Sequence, residues 1–128
     1  MEDGYTGKAG EHMRVLFIDD SQFVLEEYAA IADAYLHGHE VVASNNPSHI
    51  SSLNNREFDI AFIDWQIGQR CGREVVECIT CPHIYIVTGG ASDYEVLSFA
   101  KERCLQIIPK PFHIDDIVAC IKDVTNGT

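Results

Sequence analysis

The sequence predicts an α/β fold, a parallel β-sheet covered by helices on both faces. Five short segments are apolar almost throughout, and they alternate with segments that are apolar along a single helical stripe. In addition, the apolar runs end abruptly in polar residues, at the edge where open parallel sheets bind ligands.

The first run, RVLFI (14–18), is rich in branched side chains and stops at Asp19, Asp20 and Ser21, so it reads as a strand. Ser21 suits the cap of QFVLEEYAAIADAYL, where Val24, Leu25, Tyr28, Ile31, Ala32 and Tyr35 recur at steps of three and four, the spacing of an amphipathic helix. EVVAS (40–44) is a second strand, broken by Asn45, Asn46 and Pro47 before a short helix in HISSLNNR anchored by Ile50 and Leu53. DIAFI (59–63) is the third strand. It runs into Asp64 and a loop closing at Gly72, and REVVECI then carries a helical stripe through Val75, Val76 and Ile79. HIYIV (83–87) is the fourth strand, followed by a permissive turn of Thr88, Gly89, Gly90 and Ala91. Ser92 is the expected cap of DYEVLSFAKER, LQII (105–108) is the fifth strand before Pro109, Lys110 and Pro111, and HIDDIVACIKDV forms the last helix.

Length and charge limit what such a domain does. The chain has 128 residues, 46% of them hydrophobic, and 20 acids against 9 bases give a formal net charge of -11. That is one core's worth of chain. Residues 1–13 read as a flexible leader or expression remnant, 14–124 as the folded domain and 125–128 as a short tail. No run approaches the roughly 20 apolar residues that span a bilayer, and the bases are scattered singly, which argues against membrane insertion and direct nucleic-acid binding. Cys71, Cys78, Cys81, Cys104 and Cys120 are odd in number and fall in apolar or helical patterns, as expected of reduced, packed thiols in a cytoplasmic protein.

Asp19, Asp20, Asp64, Thr88 and Lys110 all follow apolar runs, so a parallel sheet gathers them at one edge. One such aspartate is ordinarily a cap or turn former. The conjunction of acids, acid, hydroxyl and base on four strand ends asks for more. Close carboxylates repel, and a hard divalent cation, magnesium, relieves them. Lys110 and Thr88 suit phosphoryl oxygens, which leaves Asp64 as the nucleophile and an acyl phosphate as its product.

The segments VLFIDDS, FIDW with Gly72 eight residues beyond Asp64, IVTGG, and IIPKPF resemble the signature segments of response-regulator receiver domains, over residues 14 to about 124. The resemblance implies a flavodoxin-like, doubly wound five-stranded sheet of order 2-1-3-4-5 with flanking helices, and a cis bond between Lys110 and Pro111. It implies Mg2+ held by Asp19, Asp20 and Asp64, phosphorylation of Asp64, and phosphoryl contacts from Thr88 and Lys110. The chain would catalyse its own phosphorylation and dephosphorylation while acting chiefly as a signalling switch. A histidine kinase or phosphotransfer protein is the implied donor. Downstream, a partner protein would meet a surface at about 92–122, and a homodimer is a further expectation.

The chain departs from the family at several points. Ile107 stands where a switching Tyr or Phe is frequent, Gly68 where Pro is common, and Gly89 where a small side chain is usual. Trp65 and Gln66 flank Asp64, and the segment from Asp64 to Thr88 is short, with a reduced third helix. These departures support an alternative, a receiver-like interaction module independent of phosphorylation. Among other classes, Cys78, Cys81 and His83 lack a second ligand pair for zinc. A haloacid-dehalogenase-like phosphatase would need D-x-D after the first strand, and a flavin phosphate would be repelled by Asp19 and Asp20. His12, His37, His39, His49, His83 and His113 form no nucleophile pair; His37 and His39 suit a helix exit and His113 the start of the last helix.

Overall fold

The computed structural model describes residues 12–126. The chain runs through β1 (Arg14–Ile18), α1 (Gln22–Tyr35), β2 (Glu40–Ser44), a 3-10 segment (Pro47–Leu53), β3 (Ile60–Asp64), two short strands β4 (Gln66–Ile67) and β5 (Arg70–Cys71), α2 (Gly72–Cys78), β6 (Ile84–Thr88), α3 (Tyr94–Arg103), β7 (Gln106–Pro109) and α4 (Ile114–Asn126). The main sheet has the order β2-β1-β3-β6-β7 and every pairing in it is parallel. With the β4–β5 hairpin set aside, this is the 2-1-3-4-5 order expected of a flavodoxin-like sheet.

Alternation along each strand explains why the runs are apolar throughout. Val15, Phe17, Ile60, Phe62, Val87 and Ile108 pack on one face with Tyr28 and Ile31 of α1 and Ile117 and Ile121 of α4. Leu16, Ile18, Ala61, Ile63 and Ile86 pack on the other with α2, α3 and the 3-10 segment. Both faces are covered, so neither parity is free to be polar. Fully burying one such side chain contributes about 1.5–3 kcal/mol.

Register then aligns the strand ends. Ile18 lies opposite Ile63, so Asp19 and Asp64 leave the sheet side by side. Asp64 lies opposite Val87 and Thr88 opposite Pro109, which puts Thr88 and Lys110 one residue further along on successive strands.

The structure corrects several local expectations. Met13, assigned above to the leader, is fully buried in the core, and its carbonyl accepts from Glu40 N–H, which ties it to the start of β2; residues 1–11 lie outside the described residues. The helix expected in HISSLNNR is a 3-10 segment that begins earlier, at Pro47, with Asn46 Oδ1 accepting from Ser48 N–H at 2.9 Å. Helix α3 starts at Tyr94 with Asp93, not Ser92, in the cap position. The β4–β5 hairpin was not expected. Gly68 has φ 61° at the first position of its two-residue turn, the pattern of a type II′ hairpin. Ser21 caps α1 as expected, its Oγ accepting from Val24 N–H at 3.3 Å, and the Lys110–Pro111 bond is cis.

Cys104 is the clearest departure. Instead of packing in a helix it is exposed at the C-cap of α3 with φ 59° and ψ 42°, a left-handed conformation that ordinarily falls to glycine. Cys104→Gly is therefore expected to stabilise the protein by about 1 kcal/mol, read as a higher urea midpoint at unchanged m-value. A lower midpoint would show that the Cys104 side chain contributes more than its backbone strain costs.

Candidate functional site

The three strand-end carboxylates converge. Asp19, Asp20 and Asp64 each offer an oxygen within 4.8 Å of the others. Asp19 is fully buried, Asp64 and Thr88 are nearly so, and Asp20 is exposed. Lys110 Nζ lies 2.7 Å from Asp19 Oδ2 and 3.4 Å from Asp64 Oδ1. Together with Asp20, Trp65, Gln66, Gly89, Gly90 and Asp93, the residues Asp64, Thr88 and Lys110 line an open cleft of about 400 Å³.

Backbone groups hold these side chains in place. Asp19 Oδ1 accepts from Ser21 N–H at 3.0 Å, and Thr88 Oγ1 accepts from Gly90 N–H at 3.0 Å. Lys110 N–H donates to the Thr88 carbonyl at 2.8 Å, which fixes the start of the loop after β7 against the end of β6. Gly68 N–H donates to Asp20 Oδ2 at 3.0 Å, a bond that a proline at this position would remove. Gly72 N–H donates to the Trp65 carbonyl at 2.6 Å, and a Cβ on Gly72 would overlap the Asp64 carbonyl oxygen. Only glycine lets α2 begin this close to the nucleophile candidate. Gly89, by contrast, has open space around it, so that loop is free of such a constraint.

Charge does not balance within this cluster. Three carboxylates face one ammonium, a formal excess of two negative charges. Each carboxylate pair at such a separation repels by about 3 kcal/mol at an effective dielectric near 20. Burial, followed by the Asp19 charge, pushes the Asp64 carboxyl up to about 7, against the opposing pull of Lys110. Burial acts to lower the Lys110 ammonium, but its hydrogen bond to Asp19 and the charges of Asp64 and Asp19 outweigh this and hold it above its ordinary value. Asp19 Oδ2 is inaccessible and, beyond the ion pair with Lys110, finds no well-aligned hydrogen-bond donor. A buried carboxylate oxygen with one ammonium as its sole polar neighbour, inside an all-oxygen cluster two charges in excess, fits a hard divalent cation.

Residues 15–122 match the family model described as the response regulator receiver domain. The chain belongs to the response-regulator receiver family. The receiver fold is found again among solved structures. One is a CheY-like receiver domain protein from Methanospirillum hungatei JF-1, 23% identical, with 89% of this chain and 94% of that one covered at a TM-score of 0.71. The non-phosphorylated HemR receiver domain from Leptospira biflexa is 20% identical, with coverage of 90% and 95% and a TM-score of 0.72. A response regulator protein from Burkholderia pseudomallei with a phosphorylated aspartic acid, calcium ion and citrate is 17% identical, with coverage of 89% and 69% and a TM-score of 0.66. No curated protein matches the sequence.

The receiver brings Asp19, Asp20, Asp64, Thr88 and Lys110 together as the sequence predicts. Ile107 stays apart from them, half-buried in the cluster on the α3 face that includes Trp65 and Phe99, and Pro111 is exposed beyond Lys110. The sequence reading missed Asp93 on the cleft wall and the Gly68 bond to Asp20. Its one available signal was Gly68-Gln69 between Ile67 and Arg70, a two-residue hairpin loop with glycine first. Cys78 and Cys81 donate to backbone carbonyls, and the acidic trio is the one metal-type cluster found among the described residues. No helix there is long and apolar enough to cross a membrane.

The raised Asp64 carboxyl fixes a sign for pH dependence. A carboxyl whose folded value lies above its unfolded one stabilises the fold fully below the unfolded value, and that contribution is lost as pH rises through about 7. Metal-free protein is therefore expected to lose stability between pH 5 and pH 8, by an amount on the order of 1 kcal/mol or more. Asp64→Asn should abolish most of that loss, and melting curves of both proteins in chelator across this range make the comparison. Parallel pH profiles for the two would contradict the assigned environment of Asp64.

Proposed function

We propose that this receiver is a phosphoacceptor switch in which Asp64 takes a phosphoryl group from a phosphohistidine donor. The observation that carries the proposal is the convergence of Asp64 with Asp19, Asp20, Thr88 and Lys110 in one cleft at the strand ends. Asp19, Asp20 and Asp64 would hold Mg2+, which supplies charge neutralisation for the oxygens of an incoming phosphoryl group. Lys110 is placed to meet one phosphoryl oxygen as a point cation, and the Thr88 hydroxyl to donate to another.

The transfer balances simply. An Asp64 carboxylate oxygen forms a bond to phosphorus as the phosphorus–nitrogen bond of the donor breaks, and the imidazole leaves with the bonding pair and takes up a proton. In dephosphorylation, water attacks phosphorus as the bond between phosphorus and the Asp64 oxygen breaks; the carboxylate leaves with the bonding pair, and inorganic phosphate departs after the attacking water gives up a proton to solvent. The receiver thus catalyses both its own phosphorylation and its own dephosphorylation, with positioning and electrostatics as its whole contribution. Gln66, whose N–H donates to Asp64 Oδ1 at 3.4 Å, and Trp65 line the same cleft and flank the carboxylate that the water must reach.

The donor in this reading is a histidine kinase or phosphotransfer protein, and phosphorylation shifts a population toward a surface at about 92–122 that meets a downstream protein or a second receiver. The acidic balance disfavours nucleic acid as a direct partner, and the setting in this reading is the cytoplasm, where the phosphohistidine donor is met. A phosphorylation-independent interaction module is the second reading. It is favoured by Ile107, an aliphatic side chain held among apolar neighbours, which offers no ring to swing between two positions.

Incubation with Mg2+ and a small acyl-phosphate donor, followed by intact mass measurement, is expected to show one labile phosphoryl group on native protein and none on Asp64→Asn. Lys110→Ala should keep the fold and slow phosphorylation about 100-fold, the cost of losing one transition-state cation. A native protein that gains no phosphoryl group under these conditions favours the second reading, and unchanged kinetics in Lys110→Ala would remove that residue from the site.

A further inference from the structure

Beneath the site an aromatic stack ends in a polar group that has no partner. The Tyr28 ring of α1 lies 4.3 Å from Phe17 and 5.6 Å from Phe112, and Phe17 continues to Phe62 at 5.5 Å. Tyr28 is 1% exposed, and its hydroxyl makes no hydrogen bond among the described residues. An unsatisfied buried hydroxyl costs about 1–3 kcal/mol, and phenylalanine would extend the stack without that cost. The oxygen calls for an explanation beyond packing.

Strand parity supplies its location. Met13, Val15 and Phe17 share the α1 and α4 face with Tyr28, and Asp19 is the next residue of that row. Phe62 leads in the same way to Asp64, and Ile108 to Lys110. Tyr28 therefore packs under the three charged residues, between the strand that delivers Asp19 and the loop that follows Lys110. Burial, followed by the charges of Asp19 and Asp64, holds its phenol well above the usual range, so at neutral pH it is a hydrogen-bond donor.

On the same side, Asp19 Oδ2 is buried with a single polar neighbour, the Lys110 ammonium at 2.7 Å. Mg2+ held by Asp19 would repel the Lys110 ammonium, and a phosphoryl group on Asp64 would draw it away; either change takes from Asp19 Oδ2 its one polar neighbour. We propose that Tyr28 is a positioning residue for Asp19, its hydroxyl donating to Asp19 Oδ2, directly or through one buried water, in the metal-loaded state. The tyrosine thereby frees Lys110 for phosphoryl contact and keeps Asp19 oriented toward the metal. This rests on the reading of the cleft as a magnesium and phosphoryl centre.

The test compares native protein and Tyr28→Phe as full chains, with Mg2+ affinity measured by calorimetry and thermal melting measured in chelator. The expected result pairs two opposite effects: melting in chelator unchanged or raised, because an orphan hydroxyl is gone, and Mg2+ bound about tenfold more weakly. Equal Mg2+ affinity in the two proteins would overturn the proposal while leaving the site reading intact. Weaker binding accompanied by a lower melting temperature would assign the effect to a loosened core and overturn it as well. A native protein that binds no Mg2+ would instead defeat the site reading on which the proposal stands.

Discussion

Two buried carboxylates, Asp19 and Asp64, share one ammonium, Lys110, with the exposed acid Asp20 alongside. The rest of the molecule serves to hold that imbalance in place. Carboxylates left to themselves would separate into water, and they stay together here because each is the continuation of a strand whose preceding residues are fully buried. Phe17 and Ile18 anchor Asp19, and Phe62 and Ile63 anchor Asp64, in a sheet enclosed on both faces. The core thereby maintains an arrangement that electrostatics alone would disperse, and that arrangement is the physical basis of the proposed cation and phosphoryl chemistry.

The same constraint accounts for the loops. Gly72 is required because α2 begins against the Asp64 carbonyl, and Gly68 suits a hairpin turn that also brings its N–H to Asp20. Departures from family habit at Gly68 thus have a local use: the loop after Asp64 is tied to the strand-one acids. On the α3 face, Trp65 packs 5.4 Å from Phe99, whose ring also meets Arg73 and Arg103 at 5.2 and 4.9 Å, and Glu77 pairs with both arginines at 3.1 Å. The residue after the phosphoacceptor candidate is therefore in ring contact with α3 and bonded through its carbonyl to the first residue of α2, in the same cluster as Ile107, which lacks a ring.

Much of this was legible in the sequence, because a buried parallel sheet leaves a strong record. Strands that are apolar on both parities are central, and an acid that ends such a run sits where the strands end; Asp19 and Asp64 follow from that, while Lys110 follows from the fifth apolar run, whose strand lies at the edge of the sheet. What escaped was set by backbone and by pairs remote in sequence. The β4–β5 hairpin is two residues per strand, too short for any periodicity, and the left-handed Cys104 is a conformation that its side chain does not advertise. Met13 looked like leader because its burial depends on β2, some 26 residues away, through His39 and Glu40. Tyr28 read as one more apolar position of a helical stripe, since its ring behaves as one and only the three-dimensional neighbourhood shows its hydroxyl to be stranded beneath the site.

Among the three clustered acids, Asp64 is the one proposed to receive phosphorus. Borohydride reduction after exposure to Mg2+ and a small acyl phosphate, followed by peptide mass mapping, reads this directly, because only a carboxyl activated as an acyl phosphate is reduced to an alcohol, with loss of phosphate. A single reduced aspartate is expected, at Asp64, and it should be lost when Mg2+ is chelated. Reduction at Asp19 or Asp20, or no reduced residue in a protein shown to be folded, would contradict that assignment.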